Sequence, residues 1–152
     1  MFKGQETYSV DDKGRVSVPA KVRRQLSPEA DDTFVLTRGV DRCIVAYPLD
    51  VWKRYEQRLA ELNPFNAEDR LFLRSLLRWS EDVQLDRQNR IMLPKRLMEF
   101  AGITDRVTIV GMMDHLELWN PEELEQQVAE QEKAFAQIAE KVMGEHLDRD
   151  LL

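Results

Sequence analysis

The sequence predicts an α+β, β-rich fold. Two tandem copies of one strand-and-hairpin unit pair as an intrachain pseudo-dimer, with flanking α-helices and a long C-terminal helix. Three observations predict it. Val10 to Arg24 (V-D-D-K-G-R-V-S-V-P-A-K-V-R-R) and Leu85 to Pro94 (L-D-R-Q-N-R-I-M-L-P) align with a shift of 75, which lays Asp11 on Asp86, Arg15 on Arg90, Val16 on Ile91, Val18 on Leu93 and Pro19 on Pro94. The order strand, turn, strand, helix, hairpin, helix occurs in both halves. A unit of about 50 residues buries too little surface to be stable alone and folds best against a second copy.

The elements follow in order. Glu6 to Val10 alternates as a strand, and Asp11-Asp12-Lys13-Gly14 is a turn in which Asp opens and Gly supplies a positive φ. Arg15 to Val18 alternates again, with Val16 and Val18 on one face and Arg15 and Ser17 on the other. Pro19 suits the first position of a short helix over Ala20 to Leu26, with Val22 and Leu26 inward. Thr33 to Arg38 and Arg42 to Tyr47 flank Gly39-Val40-Asp41 as a hairpin. Pro48-Leu49-Asp50 opens a helix to Leu62 with Val51, Trp52, Tyr55 and Leu59 inward. Asn66 caps a third helix to Trp79, on which Leu71, Phe72, Leu76 and Leu77 are the apolar positions. The second half then repeats: strand Glu81 to Leu85, turn Asp86 to Asn89, strand Arg90 to Leu93, and a short helix from Pro94 to Phe100. A hairpin follows, with Val107 to Val110 and His115 to Trp119 around Met112-Met113-Asp114. Asn89 stands where Gly14 stands; Asn tolerates the left-handed conformation best after Gly, so the turn is expected to survive the change. Asn120-Pro121-Glu122-Glu123 caps one final helix whose stripe runs Leu124, Val128, Gln131, Phe135, Ile138, Val142. The domain division read from this order is a first repeat over 5–50, connecting helices over 51–80, a second repeat over 81–124 and an acidic helix over 125–152.

Composition narrows the function. A chain of 152 residues with 43% hydrophobic content builds a real core. It has no apolar run long enough for a membrane span and no signal-peptide pattern at its start. Its one cysteine, Cys43, cannot form an internal disulfide and fits a reducing cytoplasm. With two histidines besides, a structural zinc site is not expected. The net charge of −6 argues against a polyanion partner until its distribution is read. Residues 1–28 carry six Lys/Arg against three Asp/Glu, and residues 120–152 carry three against nine. A basic face on an acidic protein still binds a polyanion, because contacts act within a Debye length of about 8–10 Å.

The chemistry-bearing residues lie in the two turns. Lys13 and Arg15 sit at and just after one tip, Arg87 and Arg90 at the other, and Arg23 and Arg24 follow the first. Guanidinium groups suit phosphate and are the commonest readers of guanine edges. The plainer reading is that Asp11 pairs with Arg15, and Asp86 with Arg90, only to fix the turns. The two are compatible, since an aspartate can orient an arginine that reads DNA. An acid–base pair among Asp11, Asp12 and Asp86 lacks a nucleophile and a phosphate loop, so no enzyme is expected and no cofactor is implied. Cys43, Trp52, Trp79 and Trp119 read as core, and neither His115 nor His146 reads as a ligand.

The segment Val10 to Arg24 resembles the DNA-binding element of the AbrB/MazE/SpoVT swapped-hairpin family. With its duplication, the opening Met1-Phe2-Lys3-Gly4, and the hairpin ends Tyr47-Pro48 and Trp119-Asn120, the whole chain resembles the MraZ family. That resemblance implies a swapped-hairpin, AbrB-like β-barrel and a transcriptional regulator, a repressor of the division and cell-wall gene cluster that includes its own operon. It also implies a cytoplasmic, nucleoid-associated protein that binds short G-rich direct repeats in double-stranded DNA as a homo-oligomeric ring. Family positions carry over to Lys13, Gly14, Arg15 and Arg90, and by analogy with AbrB-type domains to Arg23 and Arg24 as phosphate contacts. The alternative is an antitoxin-like module that binds a toxin protein and its own promoter; two hairpin copies and a capped terminal helix fit it less well.

Overall fold

The computed structural model describes residues 1–146. Met1–Pro121 form one compact unit and the chain from Glu122 onward a second, and each is described by itself. In the first unit, β1 (Gln5–Ser9) and β2 (Arg15–Ser17) precede α1 (Ala20–Arg23), a 3-10 turn at Pro28–Ala30, β3 (Thr33–Arg38) and β4 (Ile44–Pro48). Two helices follow, α2 (Leu49–Leu59) and α3 (Ala67–Leu77). The order then repeats as β5 (Glu81–Gln84), β6 (Arg90–Met92), α4 (Lys95–Ala101), β7 (Arg106–Met112) and β8 (His115–Trp119). The second unit carries α5 (Pro121–Glu132) and α6 (Phe135–His146).

The two copies exchange strands. The first strand of each copy pairs with the third of the other: β1 with β7, where Tyr8 faces Val107, and β5 with β3, where Val83 faces Phe34. The copies meet at β4–β8, centred on Val45 opposite Glu117, and again at β2–β6, centred on Val16 opposite Ile91. A line through these two centres is the pseudo-twofold axis, and the expected intrachain pseudo-dimer is present.

The expected β-barrel is not closed. Six strands form an open antiparallel sheet in the order β1-β7-β8-β4-β3-β5, and β2 and β6 make a separate two-stranded ribbon. The turns explain the opening. Asp11 N–H donates to Arg15 O at 3.0 Å, and Asp86 N–H to Arg90 O at 2.9 Å, at the point where each chain leaves its first strand. The second strands then find partners in each other and lie over the sheet as a second layer. Val16, Val18, Ile91 and Leu93 from the ribbon join Phe34, Leu36, Ile44, Val107 and Leu118 from the sheet in one core. β3 is buried over five of its six residues because both its faces are covered. Phe34 and Leu36 face this core, while on the far side the Thr37 hydroxyl donates to Leu76 O at 3.0 Å.

Other expectations need adjustment. The first helix is only Ala20–Arg23, one turn long. The second hairpin closes tightly on Met113 and Asp114, with Met113 at φ 68°. α2 buries Val51 and Trp52 as expected, but Tyr55 reaches outward to Asp114, its hydroxyl donating at 3.1 Å. α3 buries none of its residues. The single terminal helix is two helices: Ala134 N–H bonds back to Gln131 O, a tightened turn that ends α5 before α6 begins. The last six residues of the 125–152 segment lie outside the described residues.

Candidate nucleic-acid interface

Each basic turn is built by one aspartate. Asp11 Oδ1 accepts from Lys13 N–H at 3.0 Å and Arg15 N–H at 2.8 Å, and Oδ2 accepts from Arg15 Nε at 2.7 Å. In the second copy Asp86 Oδ1 accepts from Gln88 and Arg90 N–H at 2.8 and 2.9 Å, and Oδ2 from Arg90 Nε at 2.9 Å. Gly14 N–H and Asn89 N–H close the turns onto Asp11 O and Asp86 O, both at 3.0 Å. Every bond in one turn has its counterpart in the other. The closing residue takes positive φ in both, 83° at Gly14 and 61° at Asn89, so the substitution keeps the turn as the sequence suggests.

The two differ in what lies beneath. A Cβ on Gly14 would sit 3.1 Å from Leu93 O and 3.2 Å from Met98 Sδ, and Gly14 is buried. The pseudo-equivalent of Met98 is Arg23, whose Nε is drawn off to Val18 O at 3.2 Å, and there the exposed Asn89 finds room.

The ribbon then places the arginines. Arg15 pairs opposite Met92 and Arg90 opposite Ser17, so all four project from the face opposite the buried Val16 and Ile91. Arg15 and Arg90 are diagonal neighbours on that face, roughly 8 Å apart at Cα by strand geometry. Two further bonds extend the pairing symmetrically, Leu93 N–H to Gly14 O at 2.8 Å and Val18 N–H to Asn89 O at 2.9 Å. Lys13 and Arg87 are exposed at the two tips, at opposite ends of the ribbon. Each guanidinium gives Nε to its own aspartate.

Not every cation gathers there. Arg24 is exposed at the end of α1, while Arg23 is half-buried and held by Val18 O. Lys21 lines a crevice beside the N-terminal segment with Gly4 and Tyr8. Lys95, which the sequence reading passed over, lines a cleft of about 660 Å³ with Lys13 and Gly14, next to the first turn. The signal was available: the shift of 75 lays Lys95 on Ala20, a cation in one copy only. Arg96, equivalent to Lys21, stacks 4.6 Å over the Trp79 ring. Trp79 is therefore half-buried between Arg96 and Phe100, whereas Trp52, Trp119 and Cys43 are core.

The same hydrogen bonds set the charge state. Asp11 lies below the ordinary carboxylate value of 3.8, chiefly because the Arg15 N–H bonds its ionised form, with the Arg15 side chain adding to this. Asp86 is lowered by Arg90 N–H in the same way. Both carboxylates are therefore ionised at neutral pH and hold the turns whether or not a ligand is present. Exposed ion pairs add little to stability; two built alike, at equivalent positions, act as positioning devices for the arginines.

Comparison with known proteins agrees with the tandem architecture. A family model described as "MraZ protein, putative antitoxin-like" matches twice, over residues 1–75 and 76–145. The chain is 38% identical over 143 residues to a protein of Natranaerobius thermophilus named transcriptional regulator MraZ, covering 94% of this chain and 97% of that one. A protein of the same name from Desulforamulus reducens is 35% identical over 143 residues, covering 94% and 98%.

Proposed function

The chain belongs to the MraZ family, and from that premise we propose that it is a sequence-specific, double-stranded-DNA-binding transcription regulator that meets DNA with the outer face of the β2–β6 ribbon. The observation that carries this reading is the placement of Arg15 and Arg90, diagonal on one solvent face and each aimed by its own aspartate. A two-stranded ribbon fits the major groove, about 12 Å wide, and guanidinium donors match guanine O6 and N7. In this reading Arg15 and Arg90 read base edges. Lys13 and Arg87, at the ribbon ends, meet the flanking phosphates, and Arg24 adds a phosphate contact. Gly14 keeps the first turn closed under Met98. Arg23 supports the second turn through Val18 O and touches DNA less than its sequence position suggests.

The finer assignment is part of the same proposal. The protein represses the division and cell-wall gene cluster, its own operon included, by binding short G-rich direct repeats as a homo-oligomeric ring. It works in the cytoplasm, associated with the nucleoid. One subunit offers few cations, so its non-specific grip is about 10⁻⁴–10⁻⁶ M. Several subunits on successive repeats gain roughly 10²–10⁴ in avidity. Direct repeats suit rotationally related, head-to-tail subunits.

The test is fluorescence anisotropy on two duplexes, the region upstream of the protein's own operon and a shuffled version, across a salt series. Arg15→Ala is expected to lose about 1–3 kcal/mol on the operator and little on the shuffled duplex. Equal, weak and steeply salt-dependent binding to both duplexes would reduce the turns to a phosphate grip. No binding at low salt by folded protein would end the DNA reading and turn attention to a toxin protein as the partner of an antitoxin-like module.

A further inference from the structure

Three arginines outside the ribbon converge on two packed rings. Arg96 of α4 lies 4.6 Å over the Trp79 ring, and Arg78, at the end of α3, lies 5.7 Å from the same ring. Phe100 packs against Trp79 at 5.6 Å, and Arg38, at the end of β3, lies 4.6 Å over Phe100. Arg78 and Arg96 are exposed and Arg38 is half-buried. Among the described residues none of the three is in an ion pair. Ring faces attract cations but give the guanidinium edge no hydrogen-bond acceptor, and that edge matches phosphate oxygens. The first copy keeps the cations at equivalent places. The shift of 75 lays Arg78 on Lys3, Arg96 on Lys21 and Trp79 on Gly4. Lys21 Nζ lies 3.8 Å from where a Cβ on Gly4 would stand, much as Arg96 lies over Trp79. Packing of Trp79 alone gives no reason for cations where the ring is missing. α4 also begins beside the first turn: Leu93 N–H donates to Gly14 O at 2.8 Å, and Lys95 shares a cleft with Lys13. Arg96 follows Leu93 by three residues, so its Cα stands within about 11 Å of Leu93 Cα.

We propose that Arg78 and Arg96, held against Trp79, form a second phosphate-binding site that grips the DNA backbone beyond the groove occupied by the β2–β6 ribbon, with Lys3 and Lys21 as its weaker counterpart in the first copy. The ring does the positioning. Trp79 orders two long side chains before DNA arrives, so less side-chain freedom is lost on contact. Arg38, on Phe100, adds positive potential beside the pair. The site reads no base. It lengthens the footprint and steepens the salt dependence of binding.

The inference rests on the proposed DNA reading, and its test separates the two. Anisotropy is measured across a salt series with the full chain on two operator duplexes. One ends at the base pairs under the ribbon; the other extends by about ten base pairs, one helical turn, on each side. Wild type is expected to show the steeper slope of log K against log salt on the extended duplex. Arg78→Gln/Arg96→Gln is expected to lower that slope by about 1–2, at about 0.9 per phosphate contact, and to leave the short duplex unchanged. Arg78→Lys/Arg96→Lys keeps both charges and is expected to retain most of the slope. Lys3→Gln/Lys21→Gln disturbs no ring contact and is expected to lower the slope by a smaller amount. Circular dichroism checks that each variant is folded. Unchanged slopes in both Gln variants, with Arg15→Ala still losing the operator, would overturn this proposal alone. Equal losses on the short and extended duplexes would overturn it by placing the effect at the ribbon. Wild type that binds neither duplex would overturn it together with the DNA reading. If the slopes stay but inorganic phosphate at fixed ionic strength raises the Tm of wild type and not of Arg78→Gln/Arg96→Gln, the site takes free phosphate and the DNA contact is overturned.

Discussion

Exchanging the closing residues of the two turns separates their shared geometry from their different surroundings. Gly14→Asn places a Cβ 3.1 Å from Leu93 O and 3.2 Å from Met98 Sδ, at φ +83°. Met98 is flexible and can yield; Leu93 O is backbone, and Leu93 N–H is itself bonded to Gly14 O. The left-handed conformation and the overpacking together are expected to cost about 2–4 kcal/mol. That lowers Tm by roughly 4–16 °C in a chain of this size. Asn89→Gly meets no such obstacle: φ is already 61° and the side chain is exposed. It removes left-handed strain and adds freedom to the unfolded chain, so its net effect is expected within about 1 kcal/mol of zero. Thermal unfolding by circular dichroism measures both. Gly14→Asn/Met98→Ala should recover part of the Gly14→Asn loss relative to Met98→Ala alone. If Gly14→Asn is as mild as Asn89→Gly, the claim that α4 crowds only the first turn is wrong.

Four further outcomes are expected. Gly111→Ala puts a Cβ 2.2 Å from Lys3 N, inside the bridge that ties Phe2 to Met113; it should destabilise by about 3 kcal/mol or more, and calorimetry showing a loss below about 1 kcal/mol would contradict the close approach. Cys43 is fully buried and its thiol is pushed well above its ordinary value by desolvation, then by Glu117 and Asp41; a thiol reagent at pH 8 should label it only in denaturant, and rapid native labelling would place it elsewhere. Asp11 and Asp86 are depressed below 3.8, so their contribution to folding is complete above that value and is lost as pH falls through the lower folded values; for the proposed complex, the turn carboxylates add no pH dependence between pH 5 and 8, and an operator affinity that titrates there with Asp11→Asn abolishing the effect would refute this. Asp12→Arg gives the first tip the charge that Arg87 gives the second; binding to shuffled DNA should strengthen and the salt slope steepen by about one, and an unchanged slope would take that tip off the phosphates.

What was legible in the sequence was local or repeated. The Asp11-to-Arg15 and Asp86-to-Arg90 turns close within five residues, so residue type alone specifies them, down to the positive φ of Asn89. The pairing of the two copies followed from duplication, because a unit too small to stand alone must pair with its copy; the exchange of strands between them was implied only by the family resemblance. What was not legible depended on long-range choices. Nothing in Ser9 to Arg15 says whether β2 continues the sheet or leaves it, and that choice opened the expected barrel. No Pro or Gly marks Glu132-Lys133-Ala134, where the terminal helix divides. The apolar positions of α3 invite a buried face, yet Leu71 and Phe72 are exposed and no residue of the helix is buried. At the site, Lys95 escaped because its relation to Lys13 crosses from one copy to the other.

The departures from symmetry carry as much of the functional argument as the symmetry. Backbone and aspartate scaffolding repeat from copy to copy, which fixes Arg15 and Arg90 equivalently about the axis through Val16 and Ile91. The tips do not repeat: Asp12-Lys13 in one copy is Arg87-Gln88 in the other, so the paired charges balance at one end and leave a net positive charge at the other. A true twofold would read a palindrome and bind in either direction. A pseudo-twofold with matched arginines and unmatched tips has a direction along the duplex, the requirement for a protein proposed to occupy repeats that all point the same way. Converting both tips to one sequence, by Asp12→Arg with Lys13→Gln, should therefore leave affinity for a single site intact or higher while reducing the preference for direct over inverted repeats. Footprinting on the two arrangements decides it, and an undiminished preference would move the source of direction from the tips to the contacts between subunits.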